Sequence, residues 1–116
     1  MRNVLFVCAM EKEGKQLAEQ MEMKEVSANI FENEDKSKRM LISGIGKQIT
    51  SIRLTRYLCN FEKPDLIINI GYAGSTDISI GKWVNISRAY NYEWDILRRG
   101  KICDVCWRKS EFGNVE

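Results

Sequence analysis

Two short apolar runs, Asn3-Val4-Leu5-Phe6-Val7-Cys8 and Leu66-Ile67-Ile68-Asn69-Ile70, constrain the fold more than any other feature of the chain. Neither alternates polar with apolar, so each predicts a strand covered on both faces, the kind found in sheets with helices on either side. Pro64-Asp65 and Gly71 bound the second run. After the first run, Leu17, Ala18 and Met21 recur at helical spacing and predict an amphipathic helix from Glu11 to Met23, despite Gly14. Ile49, Ile52, Leu54, Tyr57 and Leu58 give a second helix, from about Lys47 to Asn60, a broad apolar face, and Pro64 prevents its continuation. Ser27 to Phe31 and Arg39 to Ser43 read as two shorter strands of a hairpin, with polar Glu32 to Lys38 as its turn. Trp83 to Ser87, reached through Gly81-Lys82, is a further strand. Strands separated by helices imply α/β layers around a mixed, partly parallel sheet.

The chain's 116 residues, 44% hydrophobic and 29% charged, fit one globular domain and leave little room for a second. A single domain spanning residues 1–116 is the expectation, with 91–116 as an irregular tail. Eighteen basic and sixteen acidic residues are intermixed, which argues against nucleic acid as a partner. In the tail, Arg98, Arg99, Lys101, Arg108 and Lys109 interleave with Trp94, Trp107 and Phe112, and packed aromatics among solvated charges explain this better than a nucleic-acid surface. Glu11-Lys12-Glu13 follow the first apolar run at once, so it is no signal peptide. No run nears the ~20 apolar residues of a membrane-spanning helix, and a cytoplasmic protein without a membrane partner is expected. Cys8 and Cys59 lie in apolar segments and read as small buried hydrophobes. Cys103-Asp-Val-Cys106 has the spacing of a redox pair or half a zinc site. With no histidine and no second such pair, no metal or cofactor is expected.

In an α/β sheet, ligands bind outside the carboxyl ends of the parallel strands. Three segments fall at such ends: Ala9-Met10-Glu11-Lys12-Glu13, Ser43-Gly44-Ile45-Gly46-Lys47, and Gly71-Tyr72-Ala73-Gly74-Ser75. The second leaves N–H groups uncrowded at a helix start, suited to an anion or polarised oxygen, or serves only as a tight connection. The third is a plain loop or a close backbone approach to a flat ligand. Glu13 is placed to act as a general base toward water, although a first-turn glutamate also simply complements the helix dipole.

Taken in order, "Ala-Met-Glu-x-Glu", "Ser-Gly-Ile-Gly-Lys", "Lys-Pro-Asp-Leu-Ile-Ile-Asn-Ile-Gly-x-Ala-Gly" and "Ile-Gly-Lys-Trp-Val" resemble the N-terminal half of the methylthioadenosine/S-adenosylhomocysteine nucleosidases of the purine and uridine nucleoside phosphorylase superfamily, over about Asn3 to Asp95. The resemblance implies a three-layer phosphorylase/nucleosidase-like α/β fold, truncated at its C-terminal half, that cleaves the N-glycosidic bond of a purine (thio)nucleoside through an oxocarbenium-like transition state. It also implies a homodimer. By the same resemblance Glu13 activates the nucleophilic water, Ser43, Gly44 and Gly46 lie near the nucleophile, and Ala73 and Gly74 border the base and ribose. The Gly-Asp-x-x-Arg phosphate motif of the phosphorylases is absent after the first strand, which favours hydrolysis. The family's ribose-gripping Met-Glu pair and base-protonating aspartate have no counterpart here. Tyr72 and Ser75 replace a small residue and a glycine of the family's loop, and a tyrosine there either stacks on a base or fills its pocket. Two functions therefore stand side by side, a nucleosidase and a catalytically incomplete relative that binds nucleosides or serves in interaction, with a redox or metal module far behind.

Overall fold

A computed structural model describes residues 2–89 and, as backbone, residues 106–108. The chain forms two compact units, Met1–Ala73 and Gly74–Glu116. The first holds β1 (Val4–Cys8), α1 (Glu11–Gln20), β2 (Lys24–Ser27), β3 (Ile30–Glu32), β4 (Lys38–Ile42), α2 (Lys47–Asn60) and β5 (Leu66–Asn69). Its five strands make one sheet in the order β2-β3-β4-β1-β5. β1 runs parallel to both β4 and β5, whereas β2, β3 and β4 are antiparallel neighbours. The mixed, partly parallel sheet expected from the sequence is therefore present.

The topology accounts for the layering. From β1 the chain moves through α1 toward the β4 side, and from β4 it returns through α2 across β1 to β5. Crossovers between parallel strands are right-handed, so reversing the direction of travel puts the two helices on opposite faces. Strand alternation then divides the core. Leu5, Val7 and Leu41 face α2, meeting Tyr57, Leu54 and Phe61. Phe6, Cys8, Met40 and Ile42 face α1, meeting Ala18, Leu17 and Met21. Arg39 also lies on the α2 side, where its guanidinium donates to Glu32 at 3.2 Å and lies 5.7 Å from the centre of the Phe61 ring. Tyr57 stacks on Phe61 with ring centres 4.7 Å apart.

Several local expectations are corrected. The residues from Ser27 to Phe31 are not one strand. Ala28 and Asn29 reverse the chain between β2 and β3, with Asn29 at φ 64°, a left-handed conformation that asparagine tolerates. α1 stops at Gln20 rather than Met23, because Glu22 adopts φ 53° and the Met23 N–H donates to the Ala18 carbonyl at 2.9 Å, closing a Schellman turn. The apolar face of α2 is only partly covered: Tyr57 is buried, but Ile52 and Leu58 are exposed. Cys8 is buried as expected, but Cys59 points to solvent because it follows Leu58 around the helix, away from the sheet. β5 is half-covered rather than buried on both faces. It has β1 on one side only, and although Ile68 and Ile70 pack on the α1 side, Ile67 lies on the other face and remains 44% exposed.

In the second unit, β6 (Asn85–Arg88) pairs antiparallel with β7 (Cys106–Arg108), two residues later than the strand expected to start at Trp83. Cys103 and most of the tail lie outside the described residues. Among the described residues no helix is long and apolar enough to cross a membrane.

Gly14 tests the α1 face of the core. A Cβ there would stand 2.6 Å from Met40 Sδ and 2.7 Å from Cys8 Sγ, and both side chains are almost wholly buried. Gly14→Ala is expected to destabilise the fold by about 1–3 kcal/mol in urea denaturation. The opposite sign, a gain of about 1 kcal/mol, is what helix propensity alone would give.

Candidate functional site

Strand register places the three sequence segments together. Cys8 pairs with Ile42 and Val7 with Asn69, so the carboxyl ends of β1, β4 and β5 are level. The chain beyond each strand then stays aligned for a few residues. Ser43 N–H donates to the Cys8 carbonyl at 2.8 Å, Gly44 N–H to the Ala9 carbonyl at 3.1 Å, and Ile70 N–H to the Val7 carbonyl at 2.9 Å. Residues thirty-five or more positions apart in sequence thus share one sheet end.

Above that end lies an open cleft of about 610 Å³, within the range of small-molecule sites. Val7, Leu54 and Ile67 are among its apolar lining residues, and Glu13, Lys47, Asn69, Gly71 and Tyr72 also line it. Of the sequence-predicted residues, Glu13, Ser43, Gly44 and Gly46 line this cleft. Ala73 and Gly74 are not among its lining residues; Ala73 closes the first unit and Gly74 opens the second.

Glu13 occupies the third position of α1, and its side chain is held from two directions. Oε1 accepts the Met10 N–H at 3.0 Å, reaching back over the helix start. Oε2 accepts the Tyr72 N–H at 2.9 Å, a contact across fifty-nine residues of sequence. Met10 and Tyr72 thereby satisfy donors that would otherwise face solvent or a ligand, and the carboxylate keeps further lone pairs for a water. Glu13 is the single carboxylate among the described residues lining the cleft.

The turn into α2 shows why glycine is needed there. Gly44 and Gly46 adopt φ 83° and 107°, conformations that L side chains rarely take, and a Cβ on Gly44 would also meet Ile49 at 3.1 Å. Ser43 is buried at 3% exposure and its hydroxyl lies within a closed set of bonds, near the Gly44 carbonyl at 3.1 Å and accepting from Thr50 Oγ1 at 3.2 Å. That network shapes the turn. The side chains that line the cleft along α2 are Lys47, Thr50, Ser51 and Leu54. Sequence reading missed Thr50, Ser51 and Asn69. The available signal was the i, i+3, i+4, i+7 spacing of Lys47, Thr50, Ser51 and Leu54, which puts them on one helix stripe.

Behind the cleft, burial and then the neighbouring Glu13 charge push the Cys8 thiol from the ordinary 9.0 up to about 11. No group of three or more His, Cys, Asp or Glu side chains suited to a metal occurs among the described residues.

Helices on both faces of a sheet, with a cleft where its parallel strands end, define an α/β domain of the kind that binds small molecules at that edge. The chain belongs to the phosphorylase superfamily, whose family model it matches over residues 3–105. That family processes nucleosides. No curated protein and no solved structure gave a significant match.

Cys8 supplies a test of the packing under the site. With Cys59, Cys103 and Cys106 replaced by serine, Cys8 is expected to resist a thiol reagent at about pH 8 until the fold opens, because the buried thiol stays protonated. Its folded value lies above its unfolded one, so the stability it contributes is complete below 9.0 and is lost as pH rises through about 11. Denaturation across that window should show a steeper fall than in the further Cys8→Ala variant. Immediate modification at the rate of a free thiol would contradict the burial.

Proposed function

We propose that the chain binds a purine nucleoside or thionucleoside, such as methylthioadenosine or S-adenosylhomocysteine, and hydrolyses its N-glycosidic bond with Glu13 as general base. The observation that carries this reading is the placement of Glu13: the one carboxylate among the described residues lining the strand-end cleft of a phosphorylase-superfamily domain, oriented by two backbone N–H groups. In the step proposed, a water oxygen bonds to the anomeric carbon, Glu13 takes its proton, and the C–N bond breaks with its electron pair leaving on the base. That base acquires its own proton from solvent or from a group outside the described cleft. Without a placed acid the rate is lower by a factor on the order of 10²–10⁴. Water rather than phosphate fits the absence of Gly-Asp-x-x-Arg after β1.

In this reading Ser43, Gly44 and Gly46 shape the wall beside the nucleophile, while for Ala73 and Gly74 a role toward the base and ribose rests on the sequence resemblance alone. The family match spans both compact units, which supports one phosphorylase-like domain over the whole chain. A homodimer would cover the exposed Ile45, Ile52 and Leu58 of the α2 region. A cytoplasmic location suits the free thiols of Cys8 and Cys59.

The second reading, a nucleoside-binding or interaction module without turnover, is favoured by one feature: both Glu13 oxygens already accept backbone bonds that serve the fold. The two readings separate on incubation with methylthioadenosine, S-adenosylhomocysteine, inosine and adenosine, with and without phosphate. Hydrolysis predicts phosphate-independent release of free base, reduced about 10²-fold or more by Glu13→Gln. A raised melting temperature with adenine or a nucleoside and no base release supports binding alone, since a ligand selective for the folded state stabilises it. Neither response would remove both. For the dimer, sedimentation velocity is expected to show a species of twice the chain mass that Ile52→Glu shifts to monomer.

A further inference from the structure

The contact between β5's end and the start of α1 lies outside the strand pairing of the sheet. After Asn69 the sheet pairing ends with the Ile70 N–H bond to Val7. Two residues later the Tyr72 N–H donates to Glu13 Oε2 at 2.9 Å. The same residue's phenolic O–H donates to the Lys12 carbonyl at 3.3 Å, one residue before Glu13. Tyr72 thus grips the first turn of α1 twice, once through the backbone and once through the side chain, while the residue remains 73% exposed. Gly71 completes the arrangement. A Cβ at this position would stand 2.9 Å from Glu13 Oε2 and 3.7 Å from its carboxyl carbon. Gly71 does not adopt a positive φ, so what the glycine provides here is room for the Glu13 carboxylate, which a Cβ would push aside, rather than a backbone conformation.

We propose that Gly71 and Tyr72 are positioning residues for Glu13, fixing the face of its carboxylate that meets the nucleophilic water. The Met10 bond, local to α1, sets one oxygen; the Tyr72 bond sets the other and removes the remaining rotation of the carboxylate plane. The hydroxyl strap to Lys12 holds the Tyr72 N–H in place, so that the donor does not depend on the loop's own rigidity. This assignment rests on the nucleosidase reading for its catalytic meaning, but the clamp itself is argued from geometry and is testable without turnover.

The test uses the full chain labelled with ¹⁵N. As Glu13 is titrated, the Met10 and Tyr72 amide resonances are expected to follow one shared transition that Glu13→Gln abolishes. In Gly71→Ala the Tyr72 amide should lose that transition while Met10, bonded within the helix start, keeps it and reports that α1 is intact. If Gly71→Ala does not fold, Tyr72→Phe carries the test through the hydroxyl alone, with a weakened Tyr72 transition and an unchanged Met10 transition. A Tyr72 amide indifferent to Glu13→Gln overturns the clamp, as does one that survives both variants unaltered. Where the wild type releases base, kcat is expected to fall about 10-fold in Tyr72→Phe and about 10²-fold in Gly71→Ala, with KM changed less than about twofold. Unchanged kcat with the clamp broken overturns the positioning role. A coupled Tyr72 amide in a chain that releases no base removes the hydrolytic reading and leaves the clamp standing.

Discussion

The parallel pairing of β1 with β4 on one side and β5 on the other is the interaction on which the rest of the structure depends. It levels Cys8, Ile42 and Asn69 at one sheet end, and that level is what turns three separate sequence segments into one cleft. A slip of one residue in the β1–β4 pairing would exchange the two faces of β4, moving Met40 and Ile42 from the α1 side to the α2 side. Because both faces are apolar at β1, polarity alone would not forbid such a slip. Shape does: Met40 and Cys8 meet Gly14 at a distance that only a missing side chain allows, and Leu5, Val7 and Leu41 meet the ring of Tyr57. The register is therefore fixed by packing on the two helices, and the helices are in turn placed by the direction of the crossovers.

The sequence revealed most where burial and chain direction act together. The β1 and β4 core, both helices and the mixed sheet followed from apolar runs and helical spacing, because those patterns reflect what a side chain must bury. β5 misled for a related reason. Its composition is that of a strand with neighbours on all sides, but in this unit it ends the sheet and leaves Ile67 half exposed. An apolar run states the preference of a segment; it does not state how many neighbours satisfy it. The Ala28-Asn29 reversal was hidden by an unremarkable alanine, with only Asn29 signalling the left-handed turn. The helix-face reading failed at Ile52 and Leu58, and the apolar-segment reading at Cys59, because one helix on one sheet covers a narrower stripe than the apolar positions of α2 occupy.

At the cleft, Glu13, Ser43, Gly44 and Gly46 from two of the sequence segments lie together, but side-chain roles were less legible than positions. Ser43 looks like a ligand-binding hydroxyl in the sequence, yet in the fold it is 3% exposed and bonded within its own turn. Thr50 and Ser51 look like ordinary polar helix positions, yet they line the cleft. The difference is rotational: a strand end aims alternate residues to opposite faces, while a helix start aims residues three and four apart to the same side. No motif read as a string contains that information until the helix has a partner to face.

Under the proposed function Glu13, a residue with a sufficient local explanation, would take a second role. A glutamate at the third helical position that reaches back to the preceding N–H is half of a capping box, and such a residue stabilises a helix start in proteins of every function. Nothing in that bond points to chemistry. The bond to Tyr72 differs because it joins α1 to the end of β5 across the strand-end cleft, and because Gly71 is shaped to permit it. A cap would work equally well with any rotation of its outer oxygen. Fixing that second oxygen from a distant segment constrains the carboxylate beyond what helix stability requires, and a general base gains from that constraint because proton transfer depends on the angle as well as the distance of approach.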